Sequence, residues 1–197
     1  MLAPVLSPDP AKVCISRSHS KITNISALWW PGVSIPSRVH GVTSANISLE
    51  SEQGCMLKAG LMRSRHGLVS LWLTYISPSR RVIARPEFLS DFECIYFEID
   101  THPTTSQVTF WINDKGLDMG VLPGFEYGAQ RYAIEAHATQ DAHLFSGKFT
   151  DCAFASTSGW IACDLSKSQV GHSNLQDHHT VDILSLSSIA IGDKRSA

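Results

Sequence analysis

From residue 21 onward the chain alternates apolar and polar residues in short runs rich in Val, Ile, Phe, Tyr, Trp and Thr, and no window sustains the three-and-four spacing of an amphipathic helix. A period of two sends successive side chains to opposite faces of a pleated strand, so a chain patterned this way folds as sheet. Strands are predicted over 21–29, 42–49, 54–62, 67–76, 92–100, 106–113, 130–138, 147–155, 159–165 and 180–191. Turn clusters separate them: Pro31-Gly32, Ser77-Pro78-Ser79, His102-Pro103 and Asn113-Asp114-Lys115-Gly116. The last of these predicts a hairpin, with Gly116 supplying a positive φ. Residues 166–179, polar and His-rich, are predicted to form a loop. About ten strands at short spacing predict an all-β fold of two packed antiparallel sheets.

A length of 197 residues with 43% hydrophobic and 17% charged residues fits one globular domain, 1–197, with residues 1–20 as an N-terminal arm. A net charge of −2 with scattered Lys and Arg excludes the basic stripe that nucleic acid requires. No stretch reaches the roughly 18 apolar residues of a membrane span. The opening residues, MLAPVLSPDPAKV, lack a basic start followed by an apolar run. The five cysteines, Cys14, Cys55, Cys94, Cys152 and Cys163, show no CxxC spacing and predict buried thiols. A cytoplasmic location is the expectation, with a secreted protein whose leader has been removed as the alternative. His178-His179 lacks a spaced third ligand, so neither a metal nor another cofactor is expected. Oligomeric state is not legible.

Five segments, in order, resemble the glutamic peptidases (eqolisins). Gly54–Gly60 resembles the family's Ile-Leu-Gln-Thr-Gly strand, and Leu71–Pro78 its Ala-Trp-Tyr-Glu-Trp-Tyr-Pro strand. Thr109-Phe110-Trp111-Ile112-Asn113 resembles Ala-Thr-Ile-Glu-Asn, Gln130–Glu135 resembles Ala-Glu-Trp-Ile-Val-Glu, and Lys148–Cys152 resembles Glu-Phe-Thr-Asp-Cys. The resemblance implies a concanavalin-like antiparallel β-sandwich with a concave, substrate-holding groove. It also implies a Gln and a Glu facing each other across that groove, where the family's Glu is the general base and the Gln amide binds the oxyanion. Lys58 and Arg131 stand at those two places in this sequence. A guanidinium cannot accept a proton at ordinary pH, and Lys58 without a base beside it leaves the hydrolytic water unactivated. The expectation is a protein that does not cut peptides.

Three nearby polar residues are candidate substitutes. Glu135, four positions after Arg131 on the same strand face, is expected as a salt-bridge partner of Lys58 or Arg131, with a catalytic role as the alternative. Glu50 is expected as a charge partner, and Gln53 as a solvated turn residue. Strand parity places Met56 with Lys58, then Trp72, Thr74 and Ile76, then Arg131, Ala133, Glu135 and His137 on the faces that would form a groove floor. Trp72 and Tyr75 have core packing as the bland reading, and His137 that of an ordinary sheet residue. Two cations in one groove imply acidic neighbours or a carbonyl-bearing or anionic ligand. The function expected is a cofactor-independent cyclase or isomerase, such as a Diels–Alderase, acting on a small polycyclic or terpenoid-like substrate in fungal specialised metabolism. Lys58, Arg131 and Glu135 would be its catalytic residues, and Met56, Trp72, Thr74, Ile76, Glu50 and His137 would hold the small molecule. The alternatives are a non-catalytic ligand-binding protein and an acid peptidase with an altered dyad.

Overall fold

The computed structural model describes residues 11–32, 42–64, 69–84, 88–89, 93–138, 147–173 and 179–193. Among them are 15 strands: β1 (Ala11–Pro31), β2 (Thr43–Glu50), β3 (Met56–Arg63), β4 (Val69–Ile76), β5 (Arg81–Ala84), β6 (Phe88–Leu89), β7 (Ile95–Thr101), β8 (Gln107–Ile112), β9 (Lys115–Val121), β10 (Ala129–Ala138), β11 (Gly147–Ser156), β12 (Gly159–Ala162), β13 (Gln169–Ser173), β14 (His179–Ser185) and β15 (Ser188–Asp193). All pairings are antiparallel.

β1 holds the architecture together. Its first half pairs with β10 and β13, and its second half with β11 and β7. Between the halves the register shifts from Ser18 to Ile22, and Lys21 takes a φ of 56°. Such a bulge bends and twists a strand, which lets β1 pass from one layer of the sandwich to the other. One layer is the run β10-β2-β3-β4-β5 and the other carries β7, β8, β9 and β11, so both belong to one hydrogen-bonded network bent onto itself. Leu49, Leu57, Leu73 and Ile134 from the first layer and Phe97, Ile99, Phe110 and Phe149 from the second meet in one buried cluster. Burying each such side chain contributes about 1.5–3 kcal/mol. Trp29 is fully buried in the same cluster, its ring 4.5 Å from that of Phe149.

Several sequence expectations are corrected. Ala11–Ser20 is not an arm but the first half of β1. The predicted strand 180–191 is a hairpin of two strands, β14 and β15, and 159–165 stops at Ala162 before a 3-10 turn, Leu165–Lys167. The predicted loop 166–179 contains the end of that turn and β13, while residues 174–178, including His178, lie outside the described residues. All five cysteines are free thiols, four of them buried and Cys94 half-buried. Among the described residues no helix is long and apolar enough to cross a membrane.

The hairpin after β8 is present, but its left-handed residue is Asn113, at φ 53°, and Gly116 already pairs with Trp111 inside the ladder. Asn113 also bridges to β7: its N–H donates to the Tyr96 carbonyl at 3.0 Å and its Oδ1 accepts the Tyr96 N–H at 3.0 Å. Asn is among the few non-glycine residues that tolerate that φ and can also make the second bond. Asn113→Ala is therefore expected to lose about 1–2 kcal/mol in a urea titration, and Asn113→Gly, which relieves the φ penalty, less.

Candidate functional site

The register merges the expected faces into one floor. Across the first layer, His137, Glu135, Ala133 and Arg131 of β10 stand opposite Ser44, Asn46, Ser48 and Glu50 of β2. β2 in turn faces Met62, Gly60, Lys58 and Met56 of β3, and those face Ser70, Trp72, Thr74 and Ile76 of β4. On the far side Cys14, Ser16 and Ser18 of β1 complete the floor opposite Glu135, Ala133 and Arg131. The intervening residues, among them Leu57, Leu61, Leu73 and Tyr75, point to the core. Tyr75 is thus a core residue, its hydroxyl donating to the Pro123 carbonyl at 2.9 Å, while Trp72 belongs to the groove.

Glu135 is the hub of this floor. Its Oε2 receives the Lys58 ammonium in a short, buried ion pair and contacts His137 Nε2 at 2.9 Å. Its Oε1 accepts the Ser48 hydroxyl at 3.4 Å and the Cys14 thiol at 3.8 Å. Burial alone would raise the Glu135 carboxyl, but the His137 hydrogen bond and the Lys58 charge outweigh it and hold the group well below the usual carboxylate range. Glu135 is therefore ionised and a weak base. Of its two expected partners it takes Lys58.

Arg131 has its own acid. Its Nη1 lies 3.5 Å from Glu50 Oε2 and its Nη2 donates to Ser16 Oγ at 2.7 Å. Of the two expectations for a pair of groove cations, acidic neighbours or a ligand, the structure shows acidic neighbours: each cation has a carboxylate of the chain itself. The two pairs differ in solvation: the side chains are 44% and 37% exposed for Arg131–Glu50, against 11% and 4% for Lys58–Glu135. A solvated pair contributes little, so Arg131→Ala is expected to lower stability by under about 1 kcal/mol, read as a melting-temperature shift of a few degrees.

Among the described residues two cavities open on this floor, one lined by Lys58 and the other by Glu135. The larger, about 300 Å³, is lined by Val42, Ser44, Lys58, Trp72, Ile76, Arg81, His137 and Ala138. The smaller, about 60 Å³, is lined by Cys14, Ser48, Glu50, Met56, Arg131, Tyr132, Ala133 and Glu135. Of the residues expected to hold a ligand, Trp72, Ile76 and His137 meet Lys58 at the larger cavity. Met56, Glu50, Arg131 and Glu135 line the smaller one instead, and Thr74 is fully buried and lines neither. Lys58 and Arg131 thus share a face but not a cavity. Gln53, as expected, is an exposed residue of the turn that Gly54 closes onto the Ser51 carbonyl.

The sequence reading passed over Ser44, Arg81, Cys14 and Ser16. Parity on β2 was a usable signal for Ser44, whereas Arg81 sits on β5, which no periodic run announces. Cys14 and Ser16 were lost with the arm. The Trp72 wall has a support that parity also reaches: its indole N–H donates to Asn46 Oδ1, and Asn46 Nδ2 donates to Ser44 Oγ at 3.2 Å.

No family model matches the chain, and no curated protein does either. Among solved structures it is similar to Scytalido-glutamic peptidase with a peptide-based transition-state analogue, at a TM-score of 0.71 and 14% identity, over 94% of this chain and 98% of the other. It is similar also to SCP-B, a member of the eqolisin family of peptidases in complex with the tripeptide Ala-Ile-His, at 0.69 and 13% over the same shares. At these identities the likeness is one of fold, and the chain has the β-sandwich fold of the glutamic peptidases.

Proposed function

We propose that the 300 Å³ cavity takes a small, largely apolar, carbonyl-bearing molecule and isomerises or cyclises it without a cofactor, and that the protein does not hydrolyse peptides. The observation that carries this reading is the Lys58–Glu135–His137 array at the wall of a cavity whose other lining is Trp72, Ile76, Val42 and Ala138 with the polar Ser44 and Arg81. Few convergent polar groups on apolar walls are the make-up of a small-molecule pocket, and this volume lies at the lower end of such pockets. The Lys58 ammonium has three donors and gives one to Glu135, leaving others for a ligand carbonyl. A donor aimed at developing oxyanion charge, within walls that hold a hydrocarbon in a near-attack shape, is the assistance that ring closure or isomerisation needs. Hydrolysis by the family's dyad would need a base with a free proton affinity at one of its two positions. In this reading positions 58 and 131, which the family resemblance aligns with its Gln and Glu, supply none, and the ionised Glu135 is already held by Lys58, His137, Ser48 and Cys14.

A second reading, ligand binding without turnover, is favoured by the internal pairing of both cations. The two readings separate by saturation-transfer NMR on a panel of bicyclic ketones and enones, followed by mass spectrometry of bound members. The proposal expects saturation of the ligand and a product of unchanged mass. Saturation with the ligand recovered intact indicates binding alone, and no saturation across the panel overturns both.

A further inference from the structure

We infer that His137 is an acid–base residue of the 300 Å³ cavity, so that its reaction is a proton shift on a ketone or enone bearing a C–H adjacent to, or conjugated with, the carbonyl. The inference rests on the small-molecule reading above and names its substrate class. It follows from which imidazole nitrogen is occupied. An ionised carboxylate only accepts hydrogen bonds, so the 2.9 Å contact to Glu135 Oε2 requires the proton on His137 Nε2. In the neutral ring Nδ1 then carries the lone pair, and among the described residues it has no hydrogen-bond partner. The ring itself lines the cavity and keeps 28% of its side-chain surface exposed. A carboxylate that fixes the tautomer of an imidazole at a cavity wall, leaving its other nitrogen bare, is the arrangement by which a histidine is oriented as a general base. Glu135 is the positioning residue. Because Lys58 and His137 share Glu135 Oε2, the ammonium and the base stand side by side at one wall.

The step balances within the chain and its ligand. Nδ1 takes the proton of the C–H bond, that electron pair forms the new C=C bond, and the carbonyl π pair moves to oxygen. Lys58 donates a hydrogen bond to the resulting enolate. The imidazolium then returns its proton to the same carbon, which is exchange, or to the far end of a conjugated enolate, which is isomerisation. No oxidant or co-reactant enters.

The test uses the full chain and 2-tetralone in deuterated buffer, with saturation transfer reporting binding and loss of the α-proton signals reporting the shift. Wild type is expected to bind and to speed exchange over buffer on the order of a hundredfold. His137→Gln is expected to bind but return exchange to the buffer rate. Binding without acceleration overturns the proton-shift inference while leaving the pocket reading intact, and absence of binding overturns the pocket reading and the inference with it. Should His137→Gln fail to fold, the ¹⁵N shifts of wild-type His137 decide the matter: Nε2 protonated and Nδ1 bare supports the inference, and the reverse tautomer overturns it.

Discussion

Glu135→Gln is expected to destabilise the protein by about 3–5 kcal/mol in a urea titration at neutral pH, because it leaves the Lys58 ammonium buried beside a neutral amide. The two side chains are 11% and 4% exposed, so both charges are largely cut off from bulk water. Removing both charges should be far milder: Glu135→Gln combined with Lys58→Met is expected within about 2 kcal/mol of wild type, since replacing a whole buried pair with packed apolar groups is often near neutral. The effect has a pH signature whose sign follows from the depressed carboxyl. A group held below its unfolded-chain value contributes stability above that value, about 4.3 for a glutamate, and loses it as pH falls toward the folded value. Wild type should thus lose stability on acidification below about pH 4, and Glu135→Gln should lose less over the same interval. A single-variant loss below about 1 kcal/mol, with an unchanged acid slope, would mean the pair is solvated after all.

Gly60→Ala is the second change with a large expected effect, on a residue that carries no chemistry. A Cβ at Gly60 would lie 2.0 Å from the Ala45 carbonyl oxygen, and 2.7 Å from both Asn46 Cα and Asn46 Oδ1. Two of those three atoms are backbone, so no rotamer change relieves the overlap and β2 and β3 must separate. The expected cost is about 3 kcal/mol or more, at the upper end for overpacking. Because Asn46 Oδ1 also accepts the Trp72 indole N–H, the same change should displace the aromatic wall of the larger cavity. Trp72 fluorescence and the urea midpoint of Gly60→Ala should therefore shift together, and a variant of wild-type stability would contradict the close approach of the two strands.

Parity made the groove legible and topology hid part of it. Lys58, Trp72, Ile76, Glu135 and His137 were placed on one floor because alternation within a strand fixes the face of every second residue once the strand is found. The partner of Lys58 was not legible: Glu135 lies 77 residues away, and the choice between Lys58 and Arg131 depends on strand order. β5 is four residues long and follows directly on a serine-rich turn, too short for a period to register. The first half of β1 failed differently. Its apolar alternation, Val13 and Ile15, gives way to Arg17 and His19 just where the strand bulges between layers, so a sheet strand reads as a polar arm. With that half went Cys14 and Ser16, which help to line or bond the smaller cavity's charged groups. Gly116 was assigned the positive φ by composition, whereas Asn113 takes it because its side chain and N–H both bridge to Tyr96.

Whether this floor hydrolyses peptides is tested most directly by incubating the purified chain with casein from pH 3 to pH 7 beside Glu135→Gln. An ionised Glu135 held by the Lys58 ion pair and the His137 contact, with a cation at each of positions 58 and 131, predicts no fragments from either protein at any of these pH values. Fragments that wild type releases and Glu135→Gln does not would contradict it, making Glu135 a working base on water.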